Sequence, residues 1–590
     1  MPKILFLYPK TKRRYSDSIM FSKSIRELIG AALTNANLPE VDFDVKYPEL
    51  LAHGDYATNV ALVLSKKVGK APREIAELIV KELPATNILA RTEIAGPGFI
   101  NFFLSEETLQ RQVARVLELG DQYGASSLLR GKRLMYEYTD PNPFKVFHIG
   151  HLMTNTIGEA LSRMAESQGA EVVRVNYQGD VGLHIGRALY GMQQMRTSMP
   201  EESAPDEIKA EWLGAAYVCG ATASAESPDA KAAIDVLNKQ AYERTDAEVN
   251  RLYDIGRRWS LAHFEELYRK LGTKFDHYFF ESEVAPTGVR IVEEYLQKGV
   301  FEKSEGATIF DGEKYGLHKR VFITQAGLPT YEAKDIGNNL LKFEKEPNID
   351  LSYIFTGNEQ IEYMKVVLKA IEQIEPAIAL KTRHITHGLM LGADGKKMSS
   401  RKGSAPSGEG LLLELEELVS KRLEEGKYSF SEDERKEVTE KVAVASIKYA
   451  ILRQHFEKNI MFSHEEATSF EGDSGPYLQY TYARAKSILR KGAEIGLHPE
   501  FTHGEPPQEL EHYLSRFSEV VAQAYSTTTP SYLTTYLIEV ARLFNAYYAA
   551  NKVVDALSLA SGYRLALTAA MAQILKNGLT LLGIPVIERM

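Results

Sequence analysis

Apolar positions along the chain change their spacing several times, and each change marks an element. Between Ala57 and Leu83 they recur at helical spacing on either side of a break at Gly69 to Pro72. After the turn Gly96-Pro97-Gly98, the stretch Phe99 to Leu104 alternates and reads as a strand. Leu134 to Tyr138 reads as a second strand. Past a Pro-Asn-Pro turn, Met153, Ile157, Ala160, Leu161 and Met164 fall at helical spacing from near His148 until Gly169, and Val172 to Val175 form another strand. Strand, helix, strand in that order is the unit of a doubly wound parallel sheet. A second α/β stretch runs from about Phe275 to His387. From about 440 onward the pattern is helical, with Leu533, Leu537, Val540, Leu543 and Tyr547 on one face. Residues from about 195 to 235, rich in Ala, Ser, Glu and Pro, read as an insertion. Ser404 to Gly410 reads as a flexible joint, and His498 to Pro507 as a loop.

This order predicts a multidomain α/β protein: an N-terminal α+β domain over 1–118, a Rossmann-like doubly wound domain with insertions over 119–440, and an all-α domain over 441–590. A length of 590 residues fits that division. Apolar residues at 44% and charged residues at 25% are ordinary globular composition and exclude disorder. The net charge of −9 excludes a bulk nucleic-acid coat but leaves room for a local basic face. Cys219, the single cysteine, excludes a disulfide framework and a cysteine-built zinc site. The apolar run Ile4 to Leu7 precedes its basic residues rather than following them, unlike a secretory signal, and no stretch approaches the length of a membrane span. The expectation is a cytoplasmic protein.

Two motifs carry chemistry. His148-Ile149-Gly150-His151 lies where a strand leads into a helix. Free N–H groups and the dipole attract phosphate there, both imidazoles can donate to phosphate oxygens, and Gly150 leaves room for a flat ring such as adenine. Gly395-Lys396-Lys397-Met398-Ser399-Ser400-Arg401-Lys402-Gly403 combines cations with small residues, as suits a mobile loop that neutralises developing charge on a triphosphate. Either motif alone has a bland reading, as an ordinary helix start or a solvated basic turn. The scattered histidines, His184 and His387 among them, show no ligand spacing.

Together the motifs resemble class I aminoacyl-tRNA synthetases, in which such a pair clamps ATP while an amino acid carboxylate attacks the α-phosphorus. The resemblance implies ATP-binding roles for His148, Gly150, His151, Lys397, Met398, Ser399 and Ser400. That family usually carries lysine where Ser400 stands. The cation that meets the pyrophosphate is therefore left open among Lys397, Arg401 and Lys402, with Lys145 a candidate to share the role. Glu137-Tyr138-Thr139-Asp140-Pro141-Asn142, Asn176 to Gly182, Thr330 to Gly337, Gly357-Asn358-Glu359-Gln360 and Ser474 to Tyr480 narrow the resemblance to the arginyl-tRNA synthetase family, over nearly the whole chain. It implies that Asp335 and Tyr331 hold a guanidinium, that Glu137 binds the α-amino group, and that Asn142 and Gln360 lie nearby. A guanidinium fork suits carboxylate recognition. It further implies that Tyr477 and Tyr480 stack anticodon bases, that Phe99 and Asn101 touch the tRNA elbow, and that bound tRNA is needed before the amino acid is activated. Expected partners are ATP with Mg²⁺ carried on its phosphates, L-arginine and tRNA(Arg). No zinc, organic cofactor or membrane is expected, and the chain is expected to be a monomer. A small nucleotidylyltransferase would leave the helical C-terminal third unexplained. A retired, non-enzymatic synthetase scaffold would be expected to show damaged motifs.

Overall fold

Five parallel strands form the sheet on which everything else is hung. Across the sheet they run Thr382–His387, Leu351–Gly357, Arg133–Glu137, Glu171–Gln178, His277–Phe280. The first strand in the chain, Arg133–Glu137, therefore has the second on one side and the fourth on the other. The order reverses there, and in such sheets ligands bind outside the carboxyl ends of the strands at that reversal. The computed structural model of the chain describes residues 20–396, 398, 407–426, 430–502 and 504–590.

Alternation along the strands sorts the core. Leu134 and Tyr136 pack on one face with helix Ile149–Ser167, which buries Leu152, Met153, Ile157, Leu161 and Met164. Met135, Val173 and Val175 pack on the other. The first of these cores continues without a break into the C-terminal helices Glu432–Leu452, Gly475–Glu494, Ser531–Ala550 and Ser561–Leu581. Helix Glu432–Leu452 runs through the boundary expected at 440. Its Lys448 is fully buried and donates to the carbonyl oxygens of Leu271 at 2.6 Å and Gly583 at 2.9 Å. Burial pushes that ammonium down to about 7.

Helices Leu183–Gln194, Asp206–Glu226, Pro228–Glu243 and Ala247–Leu271 pack together between the second and third strands. The insertion expected over about 195–235 is helical and extends to Leu271, since Ala and Glu are strong helix formers. Ser407 caps helix Gly408–Glu425 by accepting from the Gly410 N–H at 2.7 Å. The end of the expected joint is therefore a helix start, and its residues 404–406 lie outside the described residues.

The N-terminal module has its own core around a four-stranded antiparallel sheet, Val45–Lys46, Tyr56–Thr58, Phe99–Leu104, Leu89–Ala95 in order. It docks on the C-terminal helices through two carboxylates. Glu519 accepts from the Ser22 N–H at 2.8 Å, the Tyr47 hydroxyl at 2.6 Å and the Tyr56 hydroxyl at 3.3 Å. Asp55 and His512 add a 2.5 Å contact across the same interface. Among the described residues, no helix is long and apolar enough to cross a membrane.

Candidate active site

Helix Ile149–Ser167 begins at the carboxyl end of the first strand, and its N-cap is His148. The two histidines cap one another. The His151 N–H donates to His148 Nδ1 at 3.4 Å, and the His148 N–H donates to His151 Nδ1 at 3.2 Å. The rings stack with centroids 3.4 Å apart. A Cβ on Gly150 would sit 3.0 Å from the His148 ring, so glycine is needed there first to let that ring fold over the helix start. A backbone N–H can only donate, so Nδ1 of each ring is the bare nitrogen and Nε2 carries the proton. Enclosure by the protein and the nearby Lys145 charge hold His148 down to about 4, although an edge of its ring is exposed. Burial holds His151, which is 7% exposed, well below the usual histidine range. Both rings are therefore neutral donors at the positive end of a helix dipole.

Before that helix the backbone is strained. Thr139, Asp140 and Phe144 have φ of 82°, 48° and 66°, and non-glycine residues adopt such values only when their surroundings hold them there. Asp140 Oδ1 accepts from the Tyr177 N–H at 2.7 Å, and the Phe144 N–H donates to Ser260 Oγ at 2.9 Å. The inserted helix Ala247–Leu271 thus pins the loop. Asn142 lies in it, with its Oδ1 only 2.2 Å from where a Cβ on Gly179 would be. Lys145 follows, its Nζ 5.8 Å from the centre of the Tyr217 ring.

A buried acidic pocket lies beside the loop. Glu137, 3% exposed, accepts from Lys342 Nζ at 2.6 Å and Asn338 Nδ2 at 3.0 Å. Glu281, which opens the helix after the third strand, accepts from Lys334 Nζ at 2.7 Å. Asp335 differs from both. Its Oδ2 accepts from the Tyr363 hydroxyl at 2.7 Å, and no cation among the described residues forms an ion pair with it. Burial pushes the Asp335 carboxyl up to about 7, with Glu137 and Glu281 adding to the rise and Tyr363 and Lys342 opposing it. Tyr331 opens the same helix, 61% exposed, with Lys334 Nζ 5.1 Å from its ring centre. Gln360 leads into the helix that carries Tyr363. The buried Tyr177 hydroxyl has no hydrogen-bond partner among the described residues, and its burial beside Glu281 and Asp335 keeps it protonated.

Glu281, Lys342 and Tyr363 lie outside the matched motifs, and Lys334 and Tyr177, inside two of them, were given no role. The signal for Glu281 was its place just after a strand's carboxyl end. The lysines gave none, because a lysine in a helix ordinarily reads as solvated. Asp180 in the Asn176 to Gly182 motif is buried and ties the insertion to the sheet, accepting from the Ser282 N–H at 2.8 Å and Arg257 Nε at 3.0 Å.

The return of the basic loop reaches this crevice. The Gly392 N–H donates to the Lys396 carbonyl at 2.8 Å. On the return, Ser407 pairs with His148, and the Gly408 N–H donates to the Phe147 carbonyl at 2.8 Å. Met398 packs against the main core. Lys397, Ser399, Ser400, Arg401 and Lys402 lie outside the described residues. No group of three or more His, Cys, Asp or Glu residues able to hold a metal ion occurs among the described residues.

Elsewhere, Phe99 is 40% exposed and Asn101 is 5% exposed, so of the two only Phe99 presents a face to a ligand. Tyr477 and Tyr480 are half-buried. Their hydroxyls accept from Asn545 Nδ2 and Arg484, both at 2.9 Å, and the Arg484 guanidinium lies 4.7 Å from the Tyr480 ring centre.

A doubly wound sheet with this helix start and loop defines a class I aminoacyl-tRNA synthetase. The family profile described as tRNA synthetases class I (R), catalytic domain, matches residues 112–464. The arginyl tRNA synthetase N terminal domain matches 23–104, and the DALR anticodon binding domain 478–590. An arginine–tRNA ligase of Clostridium perfringens is 31% identical over 97% of this chain and 99% of its own length. That of Clostridium beijerinckii is 32% identical over 92% and 96%. The solved arginyl-tRNA synthetase of Thermus thermophilus superposes with a TM-score of 0.78 at 25% identity, covering 97% of this chain and all of that one. The chain belongs to the arginyl-tRNA synthetase family.

Proposed function

We propose that the crevice at the sheet's reversal activates L-arginine with ATP and then passes the arginyl group to the 3′ end of tRNA(Arg), releasing pyrophosphate and AMP. The observation that carries the reading is Asp335. Glu137 and Glu281 each have a lysine within 3 Å, while Asp335, half-buried, has a tyrosine hydroxyl and no cation among the described residues, a carboxylate short of one charge partner. A guanidinium supplies that charge with a planar fork of donors, and Tyr331, Tyr177 and Gln360 lie around it. Lysine brings charge without the fork and leaves polar groups unpaired. Glu137 and Asn142 sit at the strand end, where the α-amino group of the substrate lies.

His148 and His151 donate from Nε2 to the phosphates, and the helix start adds its dipole. Lys145, Lys397, Arg401 and Lys402 supply charge as pyrophosphate leaves, with Mg²⁺ arriving on the ATP. The substrate carboxylate attacks the α-phosphorus, and the ribose hydroxyl of the terminal tRNA adenosine then attacks the arginyl carbonyl, expelling AMP. The protein positions and neutralises rather than forming a covalent bond. Phe99, Tyr477 and Tyr480 serve tRNA. The reading is of a monomer working in the cytoplasm, where tRNA is charged. ATP–pyrophosphate exchange with each amino acid, with and without tRNA, tests it. Exchange with arginine only, and only with tRNA present, is expected. Exchange with another amino acid would remove Asp335 from its role.

A further inference from the structure

His387 ends the edge strand Thr382–His387, directly opposite Gly357 on the neighbouring strand. Side chains alternate along a strand. Phe355, two residues before Gly357, stacks on Tyr136, and its partner Ile385, two before His387, packs on the same core as helix Ile149–Ser167. His387 therefore stands on the helix-covered face of the sheet, at the carboxyl ends of the strands, beside the helix start that carries His148 and His151.

The ring is 6% exposed. Its Nδ1 lies 2.7 Å from the Gly388 carbonyl oxygen, and because a carbonyl only accepts, Nδ1 carries the proton. Burial holds the ring below the usual histidine range, opposed by its bond to Gly388 and by Glu359. The ring is neutral, Nε2 is a bare lone pair, and that nitrogen is buried with no hydrogen-bond partner among the described residues. An unpaired buried acceptor is costly, and a donor on a ligand removes the cost.

The layout of the crevice says which part of the ligand is near. The arginine-binding groups gather over the first, second and third strands, joined by Gln360 and Tyr363 from the helix start after the fourth, and the phosphate donors stand at the reversal. The edge strand Thr382–His387 is left for the nucleoside. Glu359 is folded back so closely that a Cβ on Gly357 would sit 2.3 Å from its carboxylate. That exposed pair of oxygens suits a vicinal diol. The single enclosed nitrogen of His387 suits the edge of a flat base.

Resting on the ATP-dependent reading above, we propose that His387 Nε2 accepts a hydrogen bond from the exocyclic amino group of the ATP adenine and so selects a 6-aminopurine. A purine without that group leaves Nε2 unpaired, and a 6-oxopurine sets acceptor against acceptor.

The test is arginylation by the full chain with ATP, with purine riboside triphosphate, which lacks only the amino group, and with 2′-deoxyATP. The wild type is expected to prefer ATP over the purine analogue in kcat/KM by about 30-fold. His387→Phe is expected to bring that ratio near one by lowering the ATP value alone. His387→Gln, whose amide oxygen accepts, is expected to restore part of the preference. Discrimination against 2′-deoxyATP is expected to stay constant throughout. Equilibrium binding of ATP and the analogue reads the same ratio in a variant that does not turn over. An unchanged ratio in the phenylalanine variant, or no wild-type preference, overturns the proposal. Lost discrimination against 2′-deoxyATP also overturns it, by giving Nε2 to a ribose hydroxyl. A wild type that charges no arginine with ATP overturns the underlying reading instead.

Discussion

Binding of arginine is coupled to loss of a proton from Asp335. In the empty site burial raises that carboxyl to about 7, while the guanidinium that would bind it stays charged at every accessible pH. Only the ionised carboxylate pairs well with it, so below pH 7 arginine must displace a proton. With one proton and a midpoint near 7, the apparent KM for arginine rises about tenfold from pH 8 to pH 6. The KM for ATP is expected to change much less. The stability argument has the same sign. A carboxyl whose folded pKa is raised costs the empty protein stability as pH climbs from about 4 through about 7. Arginine relieves that cost, so its thermal stabilisation is expected to be larger at pH 8 than at pH 6. Asp335→Asn is expected to raise the arginine KM by about 100-fold or more, the range for breaking a buried charge pair, and to flatten its pH dependence. Steady-state arginylation across pH 6 to 8 measures both. A pH slope that survives intact in the asparagine variant would place the titrating group elsewhere, and a flat wild-type profile would refute the proton coupling.

Three further outcomes follow from other contacts. Because Nε2 is the free donor of His148 and His151, glutamine, whose amide nitrogen reaches that position, is expected to retain more tRNA-dependent pyrophosphate exchange than asparagine at either site. The asparagine variants are expected to lose about 100-fold in rate, and equal loss in the two variants would contradict the tautomer assignment. Glu519→Ala removes the acceptor for Ser22, Tyr47 and Tyr56. Faster hydrogen exchange confined to residues 20–104 and weaker use of tRNA are expected, at a docking loss of about 3 kcal/mol; unchanged exchange there would show that the Asp55–His512 contact suffices. Lys448 is held down to about 7 by burial, so the unfolded chain binds more protons above that pH, and stability is expected to rise with pH above 7 through this group. That part of the slope is expected to vanish in Lys448→Met, as measured by denaturant unfolding at several pH values.

Much of this architecture was legible because its local patterns and its fold agree. The helix after His148 showed in Met153, Ile157 and Leu161, and all three are buried against the sheet. The strand over Phe99–Leu104 showed in its alternation. What stayed hidden depends on partners distant in the chain. Lys334 and Lys342 look like solvated helix lysines until the sheet places Glu281 and Glu137 against them. Residues 195–235 read as an insertion, but their composition did not show that the inserted helices run on to Leu271, where Ser260 holds Phe144 in the loop that leads to His148.

The same reasoning separates what the motif residues do from what their neighbours do. Glu137 and Asp335 are both carboxylates in matched motifs, and nothing in the motifs says which one has a lysine against it. Among the described residues one carries a lysine and the other does not. The lysines leave the pocket one charge short at Asp335, and that deficit, more than the number of carboxylates, is what a single guanidinium can fill. The specificity of the site therefore rests on Lys334 and Lys342 as much as on the acids. Removing either lysine would leave a second unpaired carboxylate, and the pocket would then answer it by taking up a proton.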